Sequence, residues 1–489
     1  MYRPSDPQRS LFDARGLLPD EKRRRCEETW AGVFRDKALP ILREAEDEFA
    51  DLFHEELGRP NRPVELVLGV LILKELNDLT DQEALDALEY DLRWALAFER
   101  DPAEMHLCQK TLHNFRMRLL EKDKTKLPFR RVTDELARAL GVWIQQQRLD
   151  STHILSNIAI RNRLGLFCDT IRVFLRAARR VSGEAYASLP ETLRGRYAED
   201  GSYDDAKKKD APRRLAVVAR DVWRLVTAFE KNAGVIETPE WALLKRLFEE
   251  QCRVTDKATP PEKGDDDEGD GSAAVEVKEA KEVGSDSLQS AHDPDATYNG
   301  KKGKGYEVQV AETCGKPEEV RLITEVDVTP SCQSDQKATV PIVEALEKAG
   351  LKPEELVADT AYSGGENAAA LAAKEVKLVA PASPLGKPDP QKTYDPPAPS
   401  CPTEQKQAVE WLKCQEASPE FKKRYAIRAG IESTNAELKN KHGMGKLRVR
   451  GQKRVKLAVY MKALACNLKR ALQAWLTRRR AAASAACLG

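Results

Sequence analysis

The sequence lacks a long apolar segment. No run approaches the roughly 18 apolar residues that a membrane span requires, although hydrophobic residues make up 41% of the chain and charged residues 33%. The first residues, Met1 to Asp6, also lack the apolar core of a secretory signal peptide. We therefore expect a cytoplasmic protein without a membrane partner, whose 489 residues suffice for two or three domains.

Paired cysteines are missing as well. The ten cysteines are scattered along the chain, and no two of them form a Cys-x2-Cys pair. This pattern is typical of reduced, singly buried thiols. It predicts neither a disulfide framework nor a zinc site.

Charge is distributed very unevenly along the chain. The whole protein has a net charge of +1, yet the stretch from Lys422 to Arg480 holds eighteen lysines and arginines and only two acids. These cations are interleaved with apolar helix positions and do not form one low-complexity block. The pattern favours contact between this end of the chain and a polyanion; a merely solvated tail is the alternative.

Residues 1–125 are predicted to form an all-helical N-terminal domain. Residues Thr80 to Glu83 read as a capping box that begins the second of three helices. The third helix, from Gln109 to Leu120, carries Arg116 and Arg118. Three short helices with a basic last member suit a helix-turn-helix unit that binds DNA, although small basic bundles without a DNA role are common.

The middle of the chain changes character twice. Residues 161–258 show apolar helix faces and predict a helical insertion. Residues 259–289 include a strongly acidic run with few apolar groups, which predicts a disordered linker. Alternating strands then follow over 306–312 and 322–328, and they predict a hairpin.

Two aspartates each come directly after an apolar run of strand type. Asp150 closes the segment that ends at Leu149, and Asp359 follows the predicted strand 355–358. A polar turn follows each aspartate, and simple turn capping would explain such residues without any catalytic role. The alternative is that the two carboxylates bind a metal ion.

A third carboxylate lies in a helical stretch near the C-terminal end. Tyr425, Arg428, Glu432 and Lys439 fall at spacings that place all four on one face of an α-helix. A solvated face with ion pairs between successive turns would produce the same pattern. With Asp150 and Asp359, however, Glu432 would complete a set of three.

Together these patterns resemble the bacterial insertion-sequence transposases of the DDE class. The stretches that carry the resemblance are Asp150–His153, His292–Tyr298 with Lys301–Tyr306, Ala358–Tyr362, and Tyr-x2-Arg-x3-Glu-x6-Lys from Tyr425 to Lys439. The resemblance implies an α/β fold with a ribonuclease H-like mixed sheet core, formed by 126–160 and 290–475, beside the helical N-terminal domain and the helical insertion.

The resemblance also implies an activity. Such a protein is a DNA transposase that cleaves the ends of its insertion sequence and joins them to target DNA. Asp150, Asp359 and Glu432 would be catalytic and would bind Mg²⁺, or Mn²⁺ in its place, because hard cations prefer carboxylate oxygens. The residues expected to contact DNA are Tyr425, Arg428, Lys439, Lys446, Arg448, Arg450, Arg116 and Arg118. The implied partners are double-stranded terminal inverted repeats, target DNA at the nucleoid, and a second copy of the chain in a DNA-bound homodimer.

Three points stay open at the level of sequence. The insertion separates Asp150 from the rest of the predicted core, so Asp293 and Asp295 are fallback candidates for the first carboxylate. A catalytically inactive, domesticated or decayed protein that binds specific DNA sequences would show the same basic segments. A structure-specific nuclease with the same fold would cut DNA without joining it.

Overall fold

The computed structural model describes residues 1–4, 16, 18–198, 203–205, 207, 209–255, 274–315, 320–383, 387–389 and 391–488. Within these residues, no helix combines the length and the apolar character that a membrane crossing requires.

The N-terminal part is helical, as predicted. Its α-helices are α1 (Asp20–Glu27), α2 (Trp30–Val33), α3 (Leu39–Glu44), α4 (Val64–Leu76), α5 (Asp81–Tyr90), α6 (Leu92–Phe98), α7 (Gln109–Glu121) and α8 (Leu127–Leu140), with a π segment at Phe34–Ala38 and 3₁₀ segments at Glu46–Leu52 and Pro102–Glu104. The predicted capping box is present: Glu83 N donates to Thr80 Oγ1 over 3.2 Å, and Thr80 N donates to Glu83 Oε2 over 2.7 Å. This reciprocal pair fixes the start of α5.

A mixed sheet forms the centre of the molecule. The strands are β1 (Gln146–Ile154), β2 (Cys252–Thr255), β3 (Ala274–Val277), β4 (Thr297–Asn299), β5 (Gly303–Thr313), β6 (Ile323–Pro330), β7 (Glu355–Ala358) and β8 (Lys377–Val379). The main sheet runs β6-β5-β1-β7-β8, with short β4 also paired to β5. Strand β5 is antiparallel to β1 and β6, whereas β7 is parallel to β1 and β8. The α/β class, the hairpin of β5 and β6, and the strand before Asp359 are therefore confirmed.

Asp150 does not close a strand, and that expectation was wrong. Strand β1 continues to Ile154, where it pairs with Tyr306 of β5. The ladder with β5 is longer than the apolar run before Asp150, so the strand passes through the polar residues that follow it. Asp150 consequently projects from the middle of the central strand.

The insertion between β1 and β4 has a hydrophobic core of its own. Its helices are α9 (Arg163–Val181), α10 (Gly183–Ala187), α11 (Glu191–Arg196), α12 (Ala211–Phe229), α13 (Ala233–Ile236) and α14 (Pro239–Gln251).

The prediction of a disordered linker over 259–289 was wrong for residues 274–289. There β3 pairs with β2, and Leu288 is fully buried in the insertion core, so apolar packing orders this part. Residues 259–273 of the predicted linker lie outside the described residues.

The remaining helices surround the sheet. They are α15 (Thr339–Lys348), α16 (Gly365–Ala373), α17 (Gln405–Ala417), α18 (Phe421–Tyr425), α19 (Gly430–Lys441) and α20 (Gln452–Leu488), with 3₁₀ segments at Ala280–Glu282, Asp335–Ala338 and Ala426–Ala429. The long helix α20 packs against α4, α8 and β6. For this reason α4 is buried around nearly its whole circumference and not on one side only. One hydrophobic core thus joins the N-terminal helices to the sheet.

Candidate active site

The sheet brings the two predicted aspartates to neighbouring positions. Leu149 of β1 pairs with Ala358 of the parallel strand β7, and Asp150 and Asp359 are the residues that follow this pair. After Asp359 the chain turns, and Ala361 N donates to Asp359 Oδ1 over 2.8 Å. The turn prediction and the carboxylate prediction are therefore compatible, because this turn uses only one oxygen of Asp359.

Asp150 lies in an environment that disfavours an isolated negative charge. Burial raises the pKa of Asp150 to about 6; Arg428 opposes this shift, whereas Asp359 and Asp335 add to it by like-charge repulsion. Asn435 Nδ2 donates to Asp150 Oδ2 over 3.2 Å. A bound cation would relieve the repulsion, and hard carboxylate oxygens suit Mg²⁺ or Mn²⁺. The residues present thus fit a divalent ion.

Arg428 stands between two of the three predicted carboxylates. Its Nη1 lies 3.9 Å from Asp150 Oδ2 and 3.9 Å from Glu432 Oε1. This Nη1 is buried and makes no hydrogen bond within the described residues. Arg428 Nε donates to the Tyr425 hydroxyl over 3.2 Å, and the Glu432 side chain is 69% exposed. The guanidinium is therefore held by Tyr425 through Nε, while its buried Nη1 lies between two carboxylates without a hydrogen bond to either.

The segment carrying Arg428 is not one continuous α-helix, contrary to the spacing argument. A 3₁₀ segment, Ala426–Ala429, separates α18 from α19. Arg148 of β1 contacts this segment, and its Nη1 donates to Ile427 O over 2.7 Å. Gly430 begins α19 here, and a Cβ at this position would overlap the Arg148 guanidinium. Tyr425 and Glu432 still both lie near Arg428, across this 3₁₀ segment.

A buried ionic network holds the same segment from below. Glu312 of β5 is fully buried, and it accepts from Arg148 Nε over 2.7 Å. Its other oxygen accepts from Thr434 Oγ1 over 2.7 Å and from Arg470 Nη1 over 3.2 Å. Strands β1 and β5 and helices α19 and α20 are thereby connected behind Glu432. A buried network of this kind becomes costly when one member loses its partner. It therefore favours a single position of α19 relative to the sheet.

Other polar residues border the aspartates, and sequence reasoning did not single them out as part of the site. Ser151 Oγ donates to Asp335 Oδ2 over 3.0 Å. Lys302 Nζ donates to Glu307 Oε2 over 2.9 Å and lies 3.4 Å from Ser151 Oγ. His153 Nδ1 lies 3.0 Å from Glu307 Oε1, so His153 is satisfied by that carboxylate. Strand alternation could have identified these neighbours only with the pairing of β1 and β5 already known.

Lys439 lies near this second group of charges. Burial lowers the pKa of Lys439, and the nearby carboxylate of Glu307 opposes that shift. The predicted DNA contact of Lys439 would therefore occur in the field of Glu307 and Lys302.

The basic residues after α19 are exposed but anchored. Lys446 forms an isolated bridge with Leu155 just beyond β1. Arg448 Nη1 donates to Leu79 O over 2.8 Å, and Arg450 Nε donates to Asn157 O. The segment is thus fixed between the end of β1 and the N-terminal helices, with part of its charge facing solvent.

The two predicted arginines of α7 already have partners within the protein. Arg116 forms an ion pair with Asp81 at the start of α5, and Arg118 lies over the Phe53 ring, 4.8 Å from its centroid. The exposed members of the same helix are Gln109, Lys110, His113 and Glu121.

The fallback aspartates have other partners. Asp293 is fully buried and accepts from the Tyr306 hydroxyl over 2.7 Å. Asp295 Oδ2 accepts from Gln452 N over 2.9 Å, at the start of α20. Both carboxylates thus hold the chain in place.

The three predicted ligands do not form a closed cage. Among the described residues, the one group of three potential metal ligands whose atoms all lie within 4.8 Å of one another is Glu437, His442 and Cys466. Asp150, Asp359 and Glu432 are more widely spread, with Arg428 between two of them.

Comparison with known families gave two matches. The family model described as a transposase DDE domain matches residues 281–468, and the family model described as a transposase domain (DUF772) matches residues 33–118. Searches of curated proteins and of solved structures gave no match. The first matched region contains Asp359 and Glu432, whereas Asp150 lies before it.

Proposed function

We propose that this chain cuts DNA at the ends of its own element and joins the freed ends to target DNA by metal-dependent phosphodiester transfer. The chain belongs to the DDE-domain transposases of insertion sequences. The observation that carries this proposal is the meeting of Asp150 and Asp359 on adjacent parallel strands, with Arg428 between Asp150 and Glu432. A transposition enzyme requires such a set of acids at one place.

The order of strands supports a ribonuclease H-like core. Strand β5 is antiparallel to both β6 and β1, and β7 and β8 then continue parallel to β1. The first aspartate lies on the central strand, the second follows the strand beside it, and the glutamate comes from helix α19. This is the placement that the family resemblance implies for the three acids.

Asp150, Asp359 and Glu432 are the proposed metal ligands. Divalent ions held there would supply the Lewis acidity that in-line transfer at phosphorus requires. The Arg428 guanidinium would place positive charge beside a phosphate bound near Asp150, and the Tyr425 hydroxyl orients it by accepting from Nε. Asn435 fixes the Asp150 carboxylate by donating to one of its oxygens.

The exposed basic segment after α19 is the proposed path of the DNA backbone. Lys446, Arg448 and Arg450 lie on one anchored segment that begins at the end of α19. Neutralising phosphates with such cations releases counterions and makes binding depend on salt. The segment would therefore hold the duplex while the acids act on one phosphodiester.

The decisive experiment separates binding from cutting. Purified protein is incubated with Mg²⁺ and duplexes made from the sequences that flank its own gene. Asp359→Asn and Glu432→Gln are expected to shift these duplexes like the unmodified chain but to leave every strand intact. Glu344→Gln serves as the matched control. It removes one negative charge from an exposed position on α15, and this variant should cut normally.

The outcomes discriminate between the candidate functions. Normal cutting by Glu432→Gln would remove Glu432 from the site. If the unmodified chain shifts the duplex and never cuts it, the protein is a DNA-binding protein without catalysis. Cutting without any joined product identifies a nuclease.

A further inference from the structure

A second group of metal-binding side chains lies at the other end of α19. Glu437 projects from α19, His442 directly follows this helix, and Cys466 lies on α20. One potential ligand atom from each residue lies within 4.8 Å of the other two. His442 and Cys466 are both fully buried. The proposed catalytic site uses none of the three.

His442 is poised as a neutral nitrogen ligand. Its Nδ1 lies 3.1 Å from Glu75 O, and a carbonyl can only accept, so Nδ1 carries the proton and Nε2 carries a lone pair. This Nε2 is buried and has no hydrogen-bond partner within the described residues. A buried unsatisfied nitrogen is costly. Metal-bound histidines commonly donate their other ring N–H to a carbonyl in this way.

Glu437 supplies a charged oxygen. Lys469 Nζ lies 3.3 Å from Glu437 Oε1, and Arg470 Nη2 donates to Glu437 Oε2 over 2.9 Å. Burial alone would raise the pKa of Glu437, but Arg470 and Lys469 outweigh burial and lower it. A carboxylate offers about four lone-pair directions, so these contacts leave room for a metal bond while they orient the group.

Cys466 supplies the soft ligand. It is a free cysteine, and burial raises the pKa of its thiol to about 12, so the metal-free site holds a neutral thiol. Zinc binding would require the S–H bond to break: the thiolate would bind the ion and the proton would pass to solvent. A thiolate and a carboxylate would together balance the two positive charges of the ion.

We propose that Glu437, His442 and Cys466 bind Zn²⁺ and join α19 to α20. The nitrogen, sulfur and oxygen donor set suits this borderline-soft ion, with water as the fourth ligand. Mg²⁺ does not favour a thiolate or an imidazole, so this site and the proposed catalytic site would select different ions. The ion would fix the C-terminal end of the helix that carries Glu432.

Zinc content tests the proposal directly. The full-length chain is stripped with a chelator, loaded with Zn²⁺, desalted and analysed for metal. The unmodified protein and Cys314→Ser, a buried cysteine outside the cluster, are expected to retain one equivalent. Cys466→Ser and His442→Gln are expected to lose it. Retention by both variants, or no retention by the unmodified chain, would overturn the proposal.

Cobalt gives a second measurement that does not depend on comparing variants. Co²⁺ bound through Cys466 should produce a thiolate-to-metal absorption band, which Zn²⁺ should displace and excess Mg²⁺ should not. Absence of this band contradicts thiolate ligation even where Cys466→Ser fails to fold. Glu432→Gln should keep both the band and the zinc, so failure of the catalytic proposal and failure of the zinc proposal give different results.

Discussion

The two ends of helix α19 present potential metal ligands in opposite surroundings. Near its start, Glu432 is 69% exposed, and Arg428 Nη1 lies 3.9 Å from both Glu432 and Asp150, so the potential donors there are carboxylate oxygens. Beyond its end, His442 and Cys466 are fully buried and the donors include nitrogen and sulfur. The first arrangement suits an ion that must meet a phosphate; the second suits an ion that stays bound and supports the helix.

The largest expected effect lies at the exposed end. Asp359→Asn should lower the rate of DNA cutting by about a thousand-fold or more, comparable with the loss of a strong charge-stabilising group. A quantitative cleavage assay at saturating DNA checks this. If the rate stays within about ten-fold of that of the unmodified chain, Asp359 is not a catalytic residue. The proposed contrast between the two ends of α19 then fails.

The buried network beneath Glu432 should control the position of α19. Glu312→Ala leaves Arg148 and Arg470 without their shared carboxylate, and we expect it to lower the free energy of unfolding by about 3–5 kcal/mol. Denaturant unfolding measures the change. Glu344→Ala on the exposed face of α15 should change the same quantity by less than about 0.5 kcal/mol; similar losses in both would show that the network has no special role.

The close packing of Arg148 against the start of α19 can be tested by substituting Gly430. Gly430→Ala would push a methyl group into the Arg148 guanidinium, and we expect it to destabilise the protein by about 1–3 kcal/mol. Gly195→Ala in α11 is the matched control, since a Cβ there meets nothing within 4 Å. An equal response at the two sites would mean that Arg148 moves aside without consequence.

The smallest expected effect concerns the basic segment. Lys446→Ala should weaken DNA binding and reduce the slope of log affinity against log salt by about one unit. Arg116→Ala should leave the slope unchanged, because Arg116 already forms an ion pair with Asp81. The measurement is the DNA affinity of both variants over a range of salt concentrations. A reduced slope for Arg116→Ala would support the predicted DNA contact of α7.

Local patterns in the sequence were informative wherever the determining contacts are local. The capping box at Thr80 and the strand that leads to Asp359 follow from neighbouring residues, and both are present. The spacing of Tyr425, Arg428, Glu432 and Lys439 predicted one face of a single α-helix, whereas a 3₁₀ segment interrupts it. Arg148, far away in the chain, donates a hydrogen bond to Ile427 in that 3₁₀ segment, and no local pattern contains this contact.

Long-range pairing explains what the sequence left open. Asp150 was in doubt as the first carboxylate because the insertion separates it from Asp359 in sequence. The pairing of β1 with β7 makes the two residues neighbours in space. The scattered cysteines predict no zinc site, since recognisable zinc motifs place ligands at short intervals. The cluster at Cys466 draws its ligands from α19, the residue after it, and α20, so it exists only once the helices have packed.

The sequence by itself determined the family that the chain resembles, the candidate acids and most of its helices and strands, because motifs, periodicity and capping act over a few residues. The tertiary structure decided which acids become neighbours, where Arg428 points and which histidine nitrogen is left without a partner. Those features depend on strand register and helix packing between segments far apart in the chain, and amino-acid spacing carries no record of such contacts.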